Sequence, residues 1–226
     1  SALPYSLSAS ASSGGKVKIT GMTAAATQGN GTFPADETPT IEAIPSTGYL
    51  FSHWSEDNAT LINATVPTTT VNMAMLHRNV TLEANFAKKT YSLTAQVSGS
   101  GTVDGLEALS KTYSHFDQAS FLATPSAGWH FDNWSWDDAA NFPGATQPAA
   151  SFIVSKAADL TAHFSRNLYQ LSFVNVRNGS ATGSGNHTYD SNVTITATPH
   201  DGYLFSHWSG PNLLPLAASD ASITTV

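Results

Sequence analysis

Asp132, Asp137 and Asp138 form the densest acidic cluster in the chain, with Trp136 among them. Carboxylates this close together hold Ca²⁺ through oxygen ligands when a loop alternates them and supplies a Gly at its turn. This stretch has neither the alternation nor the Gly, so a solvated acidic loop is the stronger reading. Trp136 beside Asp137 and Asp138 has the make-up of a platform for a sugar ring or of a partner contact. The competing reading is a ring that covers the edge of its own core.

The other chemical residue types are more scattered. His53 and His207 occupy identical Ser-His-Trp contexts, yet the matching position 133 is Asn. A zinc site needs several converging ligands, and neither His-x-His nor a Cys/His spacing occurs. Ser, His and Asp are all present, but no Gly-x-Ser-x-Gly elbow exposes a nucleophile. Nothing orders two carboxylates into a glycosidase pair. These residues predict no catalytic group, no bound metal and no cofactor, with Ca²⁺ at the aspartates as the one alternative.

Whatever positions these residues is repeated. Gly48-Tyr49-Leu50-Phe51-Ser52-His53-Trp54-Ser55 returns as Gly128-Trp129-His130-Phe131-Asp132-Asn133-Trp134-Ser135 and, unchanged from the first copy, as Gly202-Tyr203-Leu204-Phe205-Ser206-His207-Trp208-Ser209. Repetition at this period means one small fold used in tandem. Each copy opens on Tyr-x-Leu (Tyr5, Tyr91, Tyr169), and the first two close on an alternating run ending in Phe86 or Phe164. Five positions separate each closing Phe from the next opening Tyr, which predicts a joint with little freedom. The domain limits follow as 1–88, 89–166 and 167–226. The third copy has no counterpart of Val80–Phe86, so a strand from elsewhere is expected to complete it, from downstream sequence or from another subunit.

The local pattern is that of β structure. Tyr5, Leu7 and Ala9 alternate with serines, and Val80, Leu82, Ala84 and Phe86 alternate with Thr81, Glu83 and Asn85. Period two places one row on a core and the other in water. Tyr49 and Phe51 share a face, but Trp54 has the opposite parity. A bulge between Phe51 and Trp54 brings all three rings to one core, and the same holds for Trp129, Phe131 and Trp134 and for Tyr203, Phe205 and Trp208. A short helix over Gly105–Tyr113 is the main helical expectation. Asn-x-Ser/Thr triplets, at Asn63, Asn79, Asn133 and Asn178 among others, read more simply as turn residues ahead of strand Thr or Ser than as glycan acceptors.

Charged residues make up 11% of the chain, the net charge is −7, and Cys is absent. No basic patch recruits nucleic acid or anionic lipid, and no apolar run approaches the ~18 residues that span a bilayer as a helix. Stability must come from packing rather than disulfides.

Taken in order, the opening Tyr-x-Leu, the Gly-rich turn, a strand ending in Ala-Thr-Pro, the Gly-aromatic-x-Phe-x-x-Trp-Ser signature and the closing strand ending in Phe resemble the divergent internalin-B-type B-repeat. The resemblance covers nearly all of the chain. It implies a mainly β fold of tandem, small, β-grasp-like domains with mostly antiparallel strands and little helix. It implies an extracellular or bacterial cell-surface setting and no catalytic residues. The expected function is that of a non-enzymatic structural or adhesion protein, a stalk or a self-assembling fibre subunit. Its expected partners are neighbouring repeats or further copies. The alternative is a carbohydrate-binding accessory module with a glycan partner.

Overall fold

A computed structural model describes residues 4–21, 23–57, 59, 61–75, 78–136, 145–210 and 219–225. The chain divides into two compact units, Ser1–Leu93 with Ser110–Ser120 and Ser151–Ala158, and Thr94–Leu109 with Phe121–Ala150 and Asp159–Val226.

In the first unit, the alternating runs form strands where their period predicts them. These are β1 (Pro4–Ala11), β2 (Gly15–Ile19), β3 (Gln28–Pro34), β4 (Thr40–Pro45), β5 (Tyr49–Glu56), β6 (Thr68–Thr70) and β7 (Val80–Lys88). The larger sheet runs β3-β1-β7-β5. Its central pair is parallel, with Leu7 opposite Val80 and Ala9 opposite Leu82, and its flanking pairs are antiparallel. The antiparallel sheet β2-β4-β6 adds Val17, Ile19 and Ile41 to the core that holds Leu7, Leu82 and Trp54. Burying this row of aliphatic side chains contributes about 1.5–3 kcal/mol for each large one. Among the described residues, helix is confined to short 3₁₀ turns such as Met73–Met75.

The second repeat carries β8 (Thr90–Ser98), β9 (Gly101–Val103), β10 (Ala108–Ser114), β11 (Gln118–Pro125), β12 (Trp129–Trp136), β13 (Ala149–Ile153) and β14 (Ala158–Arg166). Its strand orders, β10-β8-β14-β12 and β13-β11-β9, copy those of the first. The helix expected over Gly105–Tyr113 is not formed. Asp104 and Gly105 both have positive φ, +49° and +84°, and turn the chain into β10 instead. Two helical turns are too few to outlast a sheet ladder, because helix nucleation is unfavourable.

The bulge required by the parity of Trp54 is present. The β5–β7 register shifts between Phe51 and His53, and the β12–β14 register shifts between Phe131 and Asn133. One extra residue, Ser52 or Asp132, turns the strand so that Trp54 and Trp134 are buried.

The third repeat contains β15 (Leu168–Leu171), β16 (Gly179–Thr182), β17 (Gly185–Thr188), β18 (Thr194–Pro199) and β19 (Ile223–Thr225). Its sheets are β15-β17 and β16-β18-β19. Among the described residues it has no counterpart of β7 or β14, and residues 203–210 form no strand. The two observations share a cause. In the first two repeats the signature strand lies at the sheet edge, and its one ladder neighbour is the closing strand.

Candidate functional site: the repeat junctions

Each signature begins with a Gly at the end of a tight turn. Tyr49, Trp129 and Tyr203 N–H each donate to the carbonyl three residues back, Ser46, Ser126 and His200, at 3.0 Å. The turn holds Gly48, Gly128 and Gly202 at φ of +81°, +78° and +81°, where L-residues are strained. Lacking a Cβ, these glycines leave one face bare.

Two of those faces are covered by a ring from the following repeat. A Cβ on Gly48 would stand 1.8 Å from His115 Cδ2, and one on Gly128 would stand 2.2 Å from Tyr189 Cγ. A backbone relay locks each seat. Lys89 N–H donates to Gly48 O, and Lys89 O accepts from His115 N–H, both at 2.8 Å. Asn167 N–H donates to Gly128 O, and Asn167 O accepts from Tyr189 N–H, again at 2.8 Å. Lys89 and Asn167 lie in the four-residue joint between closing Phe and opening Tyr. The opening tyrosines also touch the seated rings, Tyr91 with His115 at 5.9 Å and Tyr169 with Tyr189 at 6.3 Å between centroids. The fixed joint length pointed to this place. His115 and Tyr189 gave no signal of their own, because they share no chemistry and the first repeat has Ala35 at that position.

Beneath the junctions, the signature rings hold each repeat together. Trp54 N–H donates to Ala64 O and its indole to Val66 O, at 2.8 and 3.1 Å. Trp134 is held in the same way by Ala145 O and Gln147 O, and Trp208 by Ser219 O and Ala221 O. Phe51, Phe131 and Phe205 lie 5.7, 5.9 and 5.4 Å from their tryptophans. Tyr49 lies against Gly14, and the Arg166 guanidinium sits 5.5 Å over the Trp129 ring. The third copy is looser, with Trp208 partly buried and Tyr203 53% exposed.

Among the described residues, those with chemical potential do not converge on one site. Trp136 ends β12, half-buried, opposite Leu160. Asp137 and Asp138 lie outside the described residues. Asp132 accepts from Ser165 Oγ and lies 3.2 Å from His130 Nε2, on an exposed sheet face. Ser135 Oγ and His163 Nε2 are 2.8 Å apart, but Ser55 and Asn85 make the equivalent cross-strand bond in the first repeat. An amide makes the same cross-strand tie there, so the position serves the sheet in both repeats. Among the described residues, no group of three His, Asp or Glu side chains is placed to hold a metal ion. The Asp57 carboxyl is held below its ordinary range. The Arg78 side-chain hydrogen bond is the first cause and the Thr81 N–H bond the second. Asn63 Oδ1 accepts from Thr65 N–H, and Asn79 Oδ1 accepts from Ser6 N–H, so these two act locally as turn and strand-end residues.

An open groove of about 520 Å³ lies in the third repeat, lined by Leu171, Phe173, Val176 and Ala181 among others. Val174, next to Phe173 in sequence, is largely exposed, and so is Leu204 in the third signature.

The family model for the divergent InlB B-repeat domain matches residues 5–90, 91–168 and 169–226. No curated protein matches the chain. Among solved structures, the Bacillus anthracis TIE protein is 9% identical with a TM-score of 0.46, and the match covers 89% of this chain and 46% of that one. The chain thus spans about half the length of that relative. GBS52, the minor pilin of Streptococcus agalactiae, is 8% identical with a TM-score of 0.22, and the match covers 76% of this chain and all of that one. Three consecutive matches over nearly every residue make this chain a tandem-repeat member of the divergent InlB B-repeat family.

Proposed function

We propose that the chain is a non-enzymatic structural part of a bacterial surface or extracellular protein. Its task is mechanical, as a stalk that spaces an adhesive element or as the subunit of a fibre. The observation that carries this reading is the junction built twice in one way, with a bare Gly, a seated ring and a two-bond backbone relay. A junction specified to that degree transmits load and fixes repeat-to-repeat geometry, which a flexible linker between independent binding modules does not need. Membership of the B-repeat family supports the surface setting.

Immunogold electron microscopy of native cells, joined to light scattering on the purified chain, tests this. Label on the outer surface with monodisperse chain supports a stalk, and ordered filaments support a fibre. Label confined to the cell interior would end the proposal.

A further inference from the structure

We infer that the Gly202 face of the third repeat is a socket for the ring-bearing turn of a further repeat of this family, one with His or Tyr where the first repeat has Ala35. The inference rests on the tandem mechanical reading and adds to it a named surface and a named kind of occupant.

The socket is already shaped. Gly202 has the same φ as Gly48, and the same turn bond, Tyr203 N–H to His200 O, holds it. At Gly48 and Gly128, a Cβ would collide with His115 or Tyr189; at Gly202, no described residue comes within 4 Å. Tyr203 beside it is half exposed, whereas its counterpart Tyr49 is partly covered and packs on Gly14. Positive φ alone would explain the glycine. It would not explain the ring that the following repeat lays on the same face at the two equivalent places.

The occupant follows from the positions that fill the other two seats. Ala35, His115 and Tyr189 each follow the third strand of their repeat, inside equivalent turns closed by Glu37 N–H to Pro34 O, Asp117 N–H to Ser114 O and Ser191 N–H to Thr188 O. His115 and Tyr189 are already seated within the chain. Ala35 is buried and offers only a methyl group. A second copy of these 226 residues would present that methyl group there rather than a ring. A further repeat bearing His or Tyr at this position matches the bare face in shape. Its joint would bring the backbone N–H and C=O that Lys89 and Asn167 supply at the other two seats.

The test appends to the full chain a second copy of residues 79–168, which brings a closing strand, a joint and a His115-bearing turn. Hydrogen–deuterium exchange of Tyr203–Ser206 is the readout. Exchange should slow by at least about tenfold relative to the unextended chain. That protection should be lost when Gly202→Ala or, in the appended copy, His115→Ala is introduced. It should persist with His115→Tyr in the appended copy, since Tyr fills the other junction. A shorter extension of residues 79–88 alone supplies the strand without the ring. If the short extension gives all the protection, or the long one is indifferent to both Ala variants, the socket inference fails and the tandem reading stands. If neither extension protects the segment, both fail. A dimer of the unextended chain that Gly202→Ala abolishes would show a second copy as the occupant and overturn the assignment.

Discussion

The first and second junctions share a backbone and differ in the ring they seat. All four relay hydrogen bonds are 2.8 Å long, from Lys89 and His115 at one junction and from Asn167 and Tyr189 at the other. His115 is only 4% exposed, packs edge-on against Phe116 at 4.0 Å, and finds no hydrogen-bond partner for either ring nitrogen among the described residues. Tyr189 is 39% exposed, and its surroundings are polar. Arg166 donates to its carbonyl at 3.4 Å, and His130 Nδ1 meets Asn167 Oδ1 at 2.9 Å. One junction is a dry plug, the other a half-open seat tied at its rim. A flat ring on a bare Gly is common to both, so the ring's polarity is incidental and its shape is not.

The glycines offer the hardest way to break that comparison. Ala at Gly48 must pay for positive φ, about 1–2 kcal/mol, and must also displace a buried ring, about 1–3 kcal/mol more. Gly128→Ala should cost less, because the half-exposed Tyr189 can swing toward solvent. Gly202→Ala should cost only the φ term. Urea unfolding of the three full-length variants should rank them Gly48, Gly128, Gly202 in descending loss. Equal losses would mean that the seats do not matter and only the turn does.

The rings themselves sharpen it. His115→Ala empties a dry site and should cost about 2 kcal/mol, while Tyr189→Ala should cost about half as much because less of its area is buried. His115→Phe keeps the shape and removes two unpaired buried nitrogens, so stability should hold or rise. A loss of more than about 1 kcal/mol on His115→Phe would reveal a hydrogen bond to the imidazole that matters. Thermal unfolding of the intact chain distinguishes these outcomes.

The edges of legibility run through the same residues. Alternation in Tyr5–Ala9 and Val80–Phe86 predicted β1 and β7, and the wrong parity of Trp54 predicted a bulge or bend between Phe51 and Trp54, which the structure places at Ser52; both follow from side-chain direction along one strand. The state of the third signature was not legible locally. Gly202–Ser209 is letter for letter Gly48–Ser55, yet one octapeptide lies in a strand and the other does not. Ladder partners decide strand formation there, and propensity does not. The seats were hidden for a related reason. Nothing in the types His, Tyr and Ala marks positions 115, 189 and 35 as equivalent until the turns that hold them are superposed. The expected helix over Gly105–Tyr113 failed because two helical turns compete poorly with the ladder that β10 makes beside β8, a partner distant in sequence.

The smallest expected effect serves as a control that touches neither junction. Arg78 donates to both carboxylate oxygens of Asp57, at 2.7 and 3.2 Å, and Thr81 N–H adds a third bond at 2.9 Å. Together they hold the Asp57 carboxyl below its ordinary 3.8. A carboxylate whose folded pKa is depressed adds stability that is complete above the unfolded value. It is lost as pH falls through the folded one, because the unfolded chain binds the proton first. Asp57→Asn should therefore weaken the first repeat slightly at neutral pH and flatten the acid limb of its stability curve below about pH 4, with no change near pH 7 in the slope against pH. The pair is solvent-accessible, so the loss should be the least of the series. Because Asp57 contacts no junction residue, its effect should add to that of Gly128→Ala within about 0.5 kcal/mol. Marked non-additivity would mean that strain in the first repeat reaches the second seat, and the Gly128 loss could then no longer be read as the cost of that seat alone.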